Sequence, residues 1–122
     1  MTQSVSQLVI AAGQAANSGR WHEAEQLWLE VRRREPGNPQ ALFSLGIHAL
    51  QRGESESGLQ LLRAARNAAP HDKAVLLTLA NVYRQRGDSA AEREAVDAAL
   101  MVDPYFIPAL LARANWLERH GT

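Results

Sequence analysis

Apolar residues recur along this chain at intervals of three and four. Leu42, Leu45 and Ala49 make one such run, Leu76, Leu79 and Tyr83 a second, and Leu110, Ala114 and Leu117 a third. That spacing places each run on a single face of an α-helix. Caps and breakers stand between the runs. Asn38 precedes Pro39, an N-cap with proline at the first helical position. Asp72 is placed to cap a helix beginning near Lys73, and Ser89 with Glu92 has capping-box spacing. The pattern predicts seven helices, over 3–18, 20–34, 39–52, 55–68, 73–86, 89–102 and 105–120.

These helices are copies of one unit. Gly19, Gly53, Gly87 and Gly121 stand 34 residues apart, and Pro36, Pro70 and Pro104 keep the same interval. Leu8, Leu42, Leu76 and Leu110 each lie eleven residues before a Gly. Three ladders with one period of 34 indicate a repeated helix–turn–helix. The Gly ends the first helix, where positive φ is needed, and the Pro blocks continuation of the second. The chain therefore reads as one domain, 1–122, with repeats at about 3–36, 37–70 and 71–104 and a seventh helix over 105–120.

With these marks the chain resembles the tetratricopeptide repeat (TPR) family along essentially its whole length. Seven residues before each turn Gly come Ala12, Gly46, Ala80 and Ala114, all small, as the family places where two helices approach closely. Five after it come Ala24, Gly58 and Glu92; nine after, Trp28, Leu62 and Val96; twelve after, Val31, Ala65 and Ala99. Glu92 departs from the pattern, since a carboxylate does not sit unpaired in a tight interhelical contact. Either the sixth helix is rotated so that Ala91 or Ala95 takes the contact, or the third hairpin is splayed. The resemblance implies an all-α, right-handed superhelix of stacked antiparallel helix pairs, three repeats plus one additional C-terminal helix. It also implies that the first helices line a concave groove holding a partner's peptide or helix.

Projected onto that groove, Phe43, Ile47, Leu77 and Leu111 are apolar positions, and Asn81, Asn115 and Arg84 polar ones. The two asparagines occupy matching places in successive repeats, and an amide both donates and accepts, so a pair of them suits a peptide backbone. Family members that clamp a C-terminal carboxylate use Lys and Arg ten residues before the Gly. Here Val9, Phe43, Leu77 and Leu111 stand there, which argues against a chaperone-tail receptor.

Composition narrows the remaining classes. The chain has 122 residues, 13 basic and 13 acidic, and a formal net charge of zero, so it lacks the electrostatic footprint of a nucleic-acid or membrane-surface binder. It has no cysteine, hence no thiolate nucleophile or Cys-ligated zinc. The N-terminus lacks the basic region of a signal peptide, and no apolar stretch is long enough to span a bilayer, so a cytoplasmic protein is expected. Arg32, Arg33 and Arg34 suit a helix C-terminus, where cations complement the dipole. His22, His48, His71 and His120 have no partner at helical spacing, so no metal site is expected. Trp21 and Trp28 are expected to pack between hairpins. No phosphate loop, nucleophile–base pair or paired carboxylates emerge, so neither catalysis nor a cofactor is assigned.

The tail carries two further expectations. The run VDAALMVDPYFIPALLARANWLERHG resembles the TPR segment preceding the catalytic domain in bacterial proteins of the aspartyl/asparaginyl β-hydroxylase family. That resemblance implies an arm of a larger Fe(II)- and 2-oxoglutarate-dependent enzyme, with the chemistry on a domain outside these residues, and a chain cut within its fourth unit. The seventh helix is expected to pack Leu110, Ala114 and Leu117 against the third repeat. Tyr105, Phe106, Leu111 and Trp116 then leave an apolar surface suited to a homodimer.

Overall fold

The computed structural model describes residues 3–121, and within them the chain folds into seven helices: α1 (Val5–Asn17), α2 (Trp21–Arg34), α3 (Pro39–Gln51), α4 (Ser55–Ala68), α5 (Lys73–Arg86), α6 (Ser89–Val102) and α7 (Ile107–His120). No strand occurs among the described residues. Gly19, Gly53, Gly87 and Gly121 all have φ between 75° and 81°, the left-handed region that lets the chain leave a first helix without strain.

Two of the expected caps are formed. Asn38 Oδ1 accepts the Ala41 N–H at 3.0 Å, and Asp72 Oδ1 accepts those of Ala74 and Val75 at 3.0 and 3.3 Å. The third differs. Asp88 caps α6 by accepting the Ala91 N–H at 3.2 Å, so Ser89 is already helical and makes no capping box with Glu92. A reciprocal capping box does form at the N-terminus of α1, between Ser4 and Gln7. Helix α7 starts two residues later than expected because Pro108 lies in its first turn, where a missing N–H costs nothing.

The helices divide into two compact units, Met1–Ala68 and Ala69–Thr122. In the first, α1 packs on α2, α2 on α3 and α3 on α4. Leu8, Ala12, Ala15, Ala24, Trp28, Val31, Ala41 and Leu45 form its core. Trp28 is buried as expected, whereas Trp21, in the first turn of α2, is 57% exposed and lies edge-to-face with His48. The α3–α4 crossing is the tightest: a Cβ on Gly58 would lie 2.8 Å from Leu50 carbons and 3.1 Å from the Gly46 carbonyl oxygen. Backbone therefore meets backbone at the register where the first hairpin has Ala12 and Ala24 and the third Ala80 and Glu92.

In the second unit, α5 packs on α6 and α6 on α7. Leu76, Leu79, Ala80 and Tyr83 of α5 are buried along with Ala95, Val96, Ala99 and Leu100 of α6. Helix α7 presents a different stripe from the one expected. Ala109 is fully buried and Ala112 and Trp116 are half-buried, while Leu110 and Ala114 are exposed and Leu117 is only half-buried. The reason lies in the repeat. In complete hairpins the Leu110 register faces the second helix of the same hairpin, whereas the preceding hairpin is met by the neighbouring stripe.

Candidate functional site

Leu77, Asn81 and Arg84 follow one another at four and three residues, so they share a face of α5; Leu111 and Asn115 repeat the arrangement on α7. Leu77 is half-buried, Asn81 and Arg84 are exposed, and Leu111 is 66% exposed. The second unit thus presents two first-helix faces, each with a leucine and an exposed amide. Asn115 is already oriented: its Oδ1 accepts from Arg119 Nε at 3.0 Å, a bond that does not use its amide N–H groups.

Arg119 also resolves the position of Glu92. Its Nη2 donates to Glu92 Oε2 at 2.6 Å, and Glu92 is 3% exposed. The sixth helix is therefore not rotated away, because both Glu92 and Ala95 are buried. The carboxylate keeps the interhelical place and takes its counter-charge from α7. Its other oxygen, Oε1, is buried without a hydrogen-bond partner among the described residues.

The aromatics expected to form an open patch divide between two roles. Trp116 Nε1 donates to the Ser89 carbonyl at 2.9 Å, Arg93 lies 4.8 Å over its ring, and His120 stacks at 4.5 Å. Trp116 therefore moors α7 to α6. Phe106 is half-buried beneath Lys73 Nζ, 4.8 Å above its ring, and the same ammonium donates to Asp103 Oδ2 at 2.6 Å. The Lys73 hydrogen bond, then the Tyr105 N–H, hold the Asp103 carboxyl below its ordinary range. Tyr105 and Leu111 are left exposed. A hollow of about 920 Å³ opens along α6 beside Ala90, Asp97, Met101 and Trp116 and shares no residue with the Asn81 face.

In the first unit Phe43 and Ile47 are half-buried on α3. Their neighbour His48 does have a partner, on the preceding hairpin. Its Nδ1 lies 3.3 Å from Glu25 Oε2, which also accepts from Arg52, and Arg52 Nε reaches Glu54 Oε1 at 2.6 Å. Burial raises the Glu25 pKa, but the Arg52 and His48 hydrogen bonds together outweigh it and hold the carboxyl below its ordinary value. Sequence spacing does not reveal this cluster, because Glu25 lies 23 to 29 residues before the other three.

The sequence model of the tetratricopeptide repeat matches residues 12–72 and 48–105. The chain belongs to that family. The first TPR of Spaghetti (RPAP3), solved bound to the HSP90 peptide SRMEEVD, superposes with a TM-score of 0.84 at 10% identity, covering 100% of this chain and 97% of that one. The Yersinia enterocolitica type III secretion chaperone SycD, in complex with a peptide of the translocator YopD, gives 0.78 at 15% identity, covering 98% and 93%. A tetratricopeptide repeat protein from Parabacteroides merdae gives 0.80 at 18% identity over 96% of this chain, which spans 46% of that protein's length. A search of curated protein sequences gave no match. No helix among the described residues is long and apolar enough to cross a membrane.

Proposed function

We propose that this TPR chain is a non-catalytic protein-interaction module that holds a partner's extended peptide or helix on its first-helix faces. The observation that carries the reading is the recurrence of an exposed Asn beside a leucine: Leu77 with Asn81 on α5, and Leu111 with Asn115 on α7. Asn81 is free to donate and accept, while Asn115, fixed through its oxygen by Arg119, donates. Amides read a backbone and leucines read apolar side chains, so the ligand is a peptide with alternating apolar residues and no requirement for a terminal carboxylate. Arg84 adds one cation at the edge of the α5 face. The two superposed structures solved with peptides support an interaction role for this fold.

Selection of ligands from a displayed peptide library, followed by titration into wild type and the Asn81→Ala/Asn115→Ala variant, tests the reading. A loss of about tenfold in affinity is expected for two hydrogen-bonding amides. Equal binding by both proteins would remove the asparagines from the site.

A further inference from the structure

Glu92, Arg119 and Asn115 form one chain of hydrogen bonds, with a single guanidinium as the middle link. Arg119 Nη2 donates to Glu92 Oε2 at 2.6 Å, and its Nε donates to Asn115 Oδ1 at 3.0 Å. A guanidinium only donates, so the atom of the Asn115 amide that meets it is the oxygen. Its donors sit in a rigid planar fork, so the direction of the Glu92 bond sets that of the Asn115 bond. Glu92 is the fixed end. Its side chain is 4% exposed and that of Arg119 37%, while Asn115 is exposed.

Stability gives little reason for a carboxylate at this place. Its Oε1 is buried without a hydrogen-bond partner among the described residues, and replacing a buried ion pair by apolar groups is often neutral or stabilising. The departure from the repeat is also concerted. Where this unit has Glu92, Asn115 and Arg119, the places 34 residues earlier hold Gly58, Asn81 and Gln85, and those 68 earlier hold Ala24, Ile47 and Gln51. The buried carboxylate and the arginine thus arrive together, beside an asparagine. Asn81, in the same register, is exposed with α6 packed on α5 and α7 on α6, so exposure here is a property of the face.

We propose that Glu92 is a positioning residue of the peptide-holding face: acting through Arg119, it fixes the Asn115 amide so that α7 donates to a carbonyl oxygen of the bound peptide. The inference rests on the reading of that face proposed above. It makes the two asparagines unequal. Asn115 requires an acceptor opposite it, whereas Asn81, with no arginine four residues on, takes either edge of a peptide backbone.

The test has one arm on the free protein and one on binding. In the free protein, three-bond NMR couplings to the Asn115 Cγ should report one χ1 rotamer in wild type and averaged rotamers in Glu92→Ala. The Arg119 Nε–H should exchange with water about tenfold faster in that variant. For binding, the probe is the tightest peptide from the displayed-library selection. Glu92→Ala should weaken it about three- to tenfold, the cost of ordering one freed side chain, with no fall in thermal midpoint. A merely structural carboxylate would give the opposite pair of results. Glu92→Gln, whose amide oxygen can still accept from Arg119, should keep most of the affinity. In an Asn115→Ala background, Glu92→Ala should weaken binding no further. Unchanged couplings in Glu92→Ala, full affinity in that variant, or a loss that persists in the Asn115→Ala background overturns the proposal. A selection that yields no peptide, while the couplings change as expected, overturns instead the peptide-holding reading on which it rests.

Discussion

Arg119 Nη2 stands 2.6 Å from Glu92 Oε2, and the carboxylate side chain it meets is 4% exposed. One charge is thus buried at a helix crossing where the first repeat has Ala24, and its counter-charge comes from the next repeat. The consequence is directional. Helix α7 is needed to neutralise α6, but α6 without a carboxylate would not need α7 for that purpose.

The two single substitutions at this pair should therefore differ. Arg119→Ala leaves Glu92 buried and uncompensated; removing one partner of a buried pair costs about 3–5 kcal/mol, less here because Arg119 is partly solvated, so about 1–3 kcal/mol is expected. Glu92→Ala restores the small residue that the crossing accepts elsewhere, and should be neutral or stabilising. Once Glu92 is alanine, adding Arg119→Ala should cost little. Urea unfolding of the four proteins, followed by Trp fluorescence and by amide exchange in α7, gives the cycle. An Arg119→Ala protein as stable as wild type would show that the carboxylate is solvated.

Glycine-to-alanine changes should have opposite signs at two places. In α1, a Cβ on Gly13 would have nothing within 4 Å, so Gly13→Ala gains helix propensity, about 0.5–1 kcal/mol. In α4 the same gain is opposed. A Cβ on Gly58 would meet Leu50 at 2.8 Å and the Gly46 carbonyl oxygen at 3.1 Å. Leu50 can turn aside, but the carbonyl moves only if the helices separate, and such overpacking costs about 1–3 kcal/mol. Gly58→Ala is expected to destabilise and Gly13→Ala to stabilise, read as shifts in thermal midpoint. A stabilised Gly58→Ala would show that α3 and α4 part readily.

The repeat itself was legible because its marks are local. A Gly needing positive φ, a Pro ending a helix, and an Asn or Asp capping the next act within a few residues, and the 34-residue period repeats them. What was not legible depends on residues far apart in sequence. Arg119 and Glu92 are 27 apart, and His48 and Glu25 are 23 apart. The stripe of α7 is a subtler case. Leu110, Ala114 and Leu117 have the spacing of an inward face, and in a complete hairpin they are one. Their direction is set by which neighbour is present, so periodicity finds the stripe without saying what it meets. Trp116 looked like an open apolar residue for the same reason, although its N–H is bonded to Ser89.

Acid should weaken the second helix before the rest of the α1–α2 hairpin. Glu30 accepts from Arg33 at 2.6 and 2.9 Å and from Arg34 at 2.9 Å, so two of the three arginines that suit the helix dipole also clasp one carboxylate. The Arg33 hydrogen bonds, then that of Arg34, lower its pKa from 4.5 to about 2. The folded value lies below the unfolded one, so the contribution is fully present above the unfolded pKa of 4.5 and is lost as pH falls toward about 2. Asp103 and Glu25, also lowered, add to stability in the same direction. Carboxyl NMR titration should find Glu30 protonating well below the ordinary glutamate value of 4.5. Urea midpoints at about pH 5 and about pH 2.5 should fall further for wild type than for Glu30→Gln, which has no proton to take up. Identical losses in the two proteins would mean that the arginines do not hold Glu30 in solution.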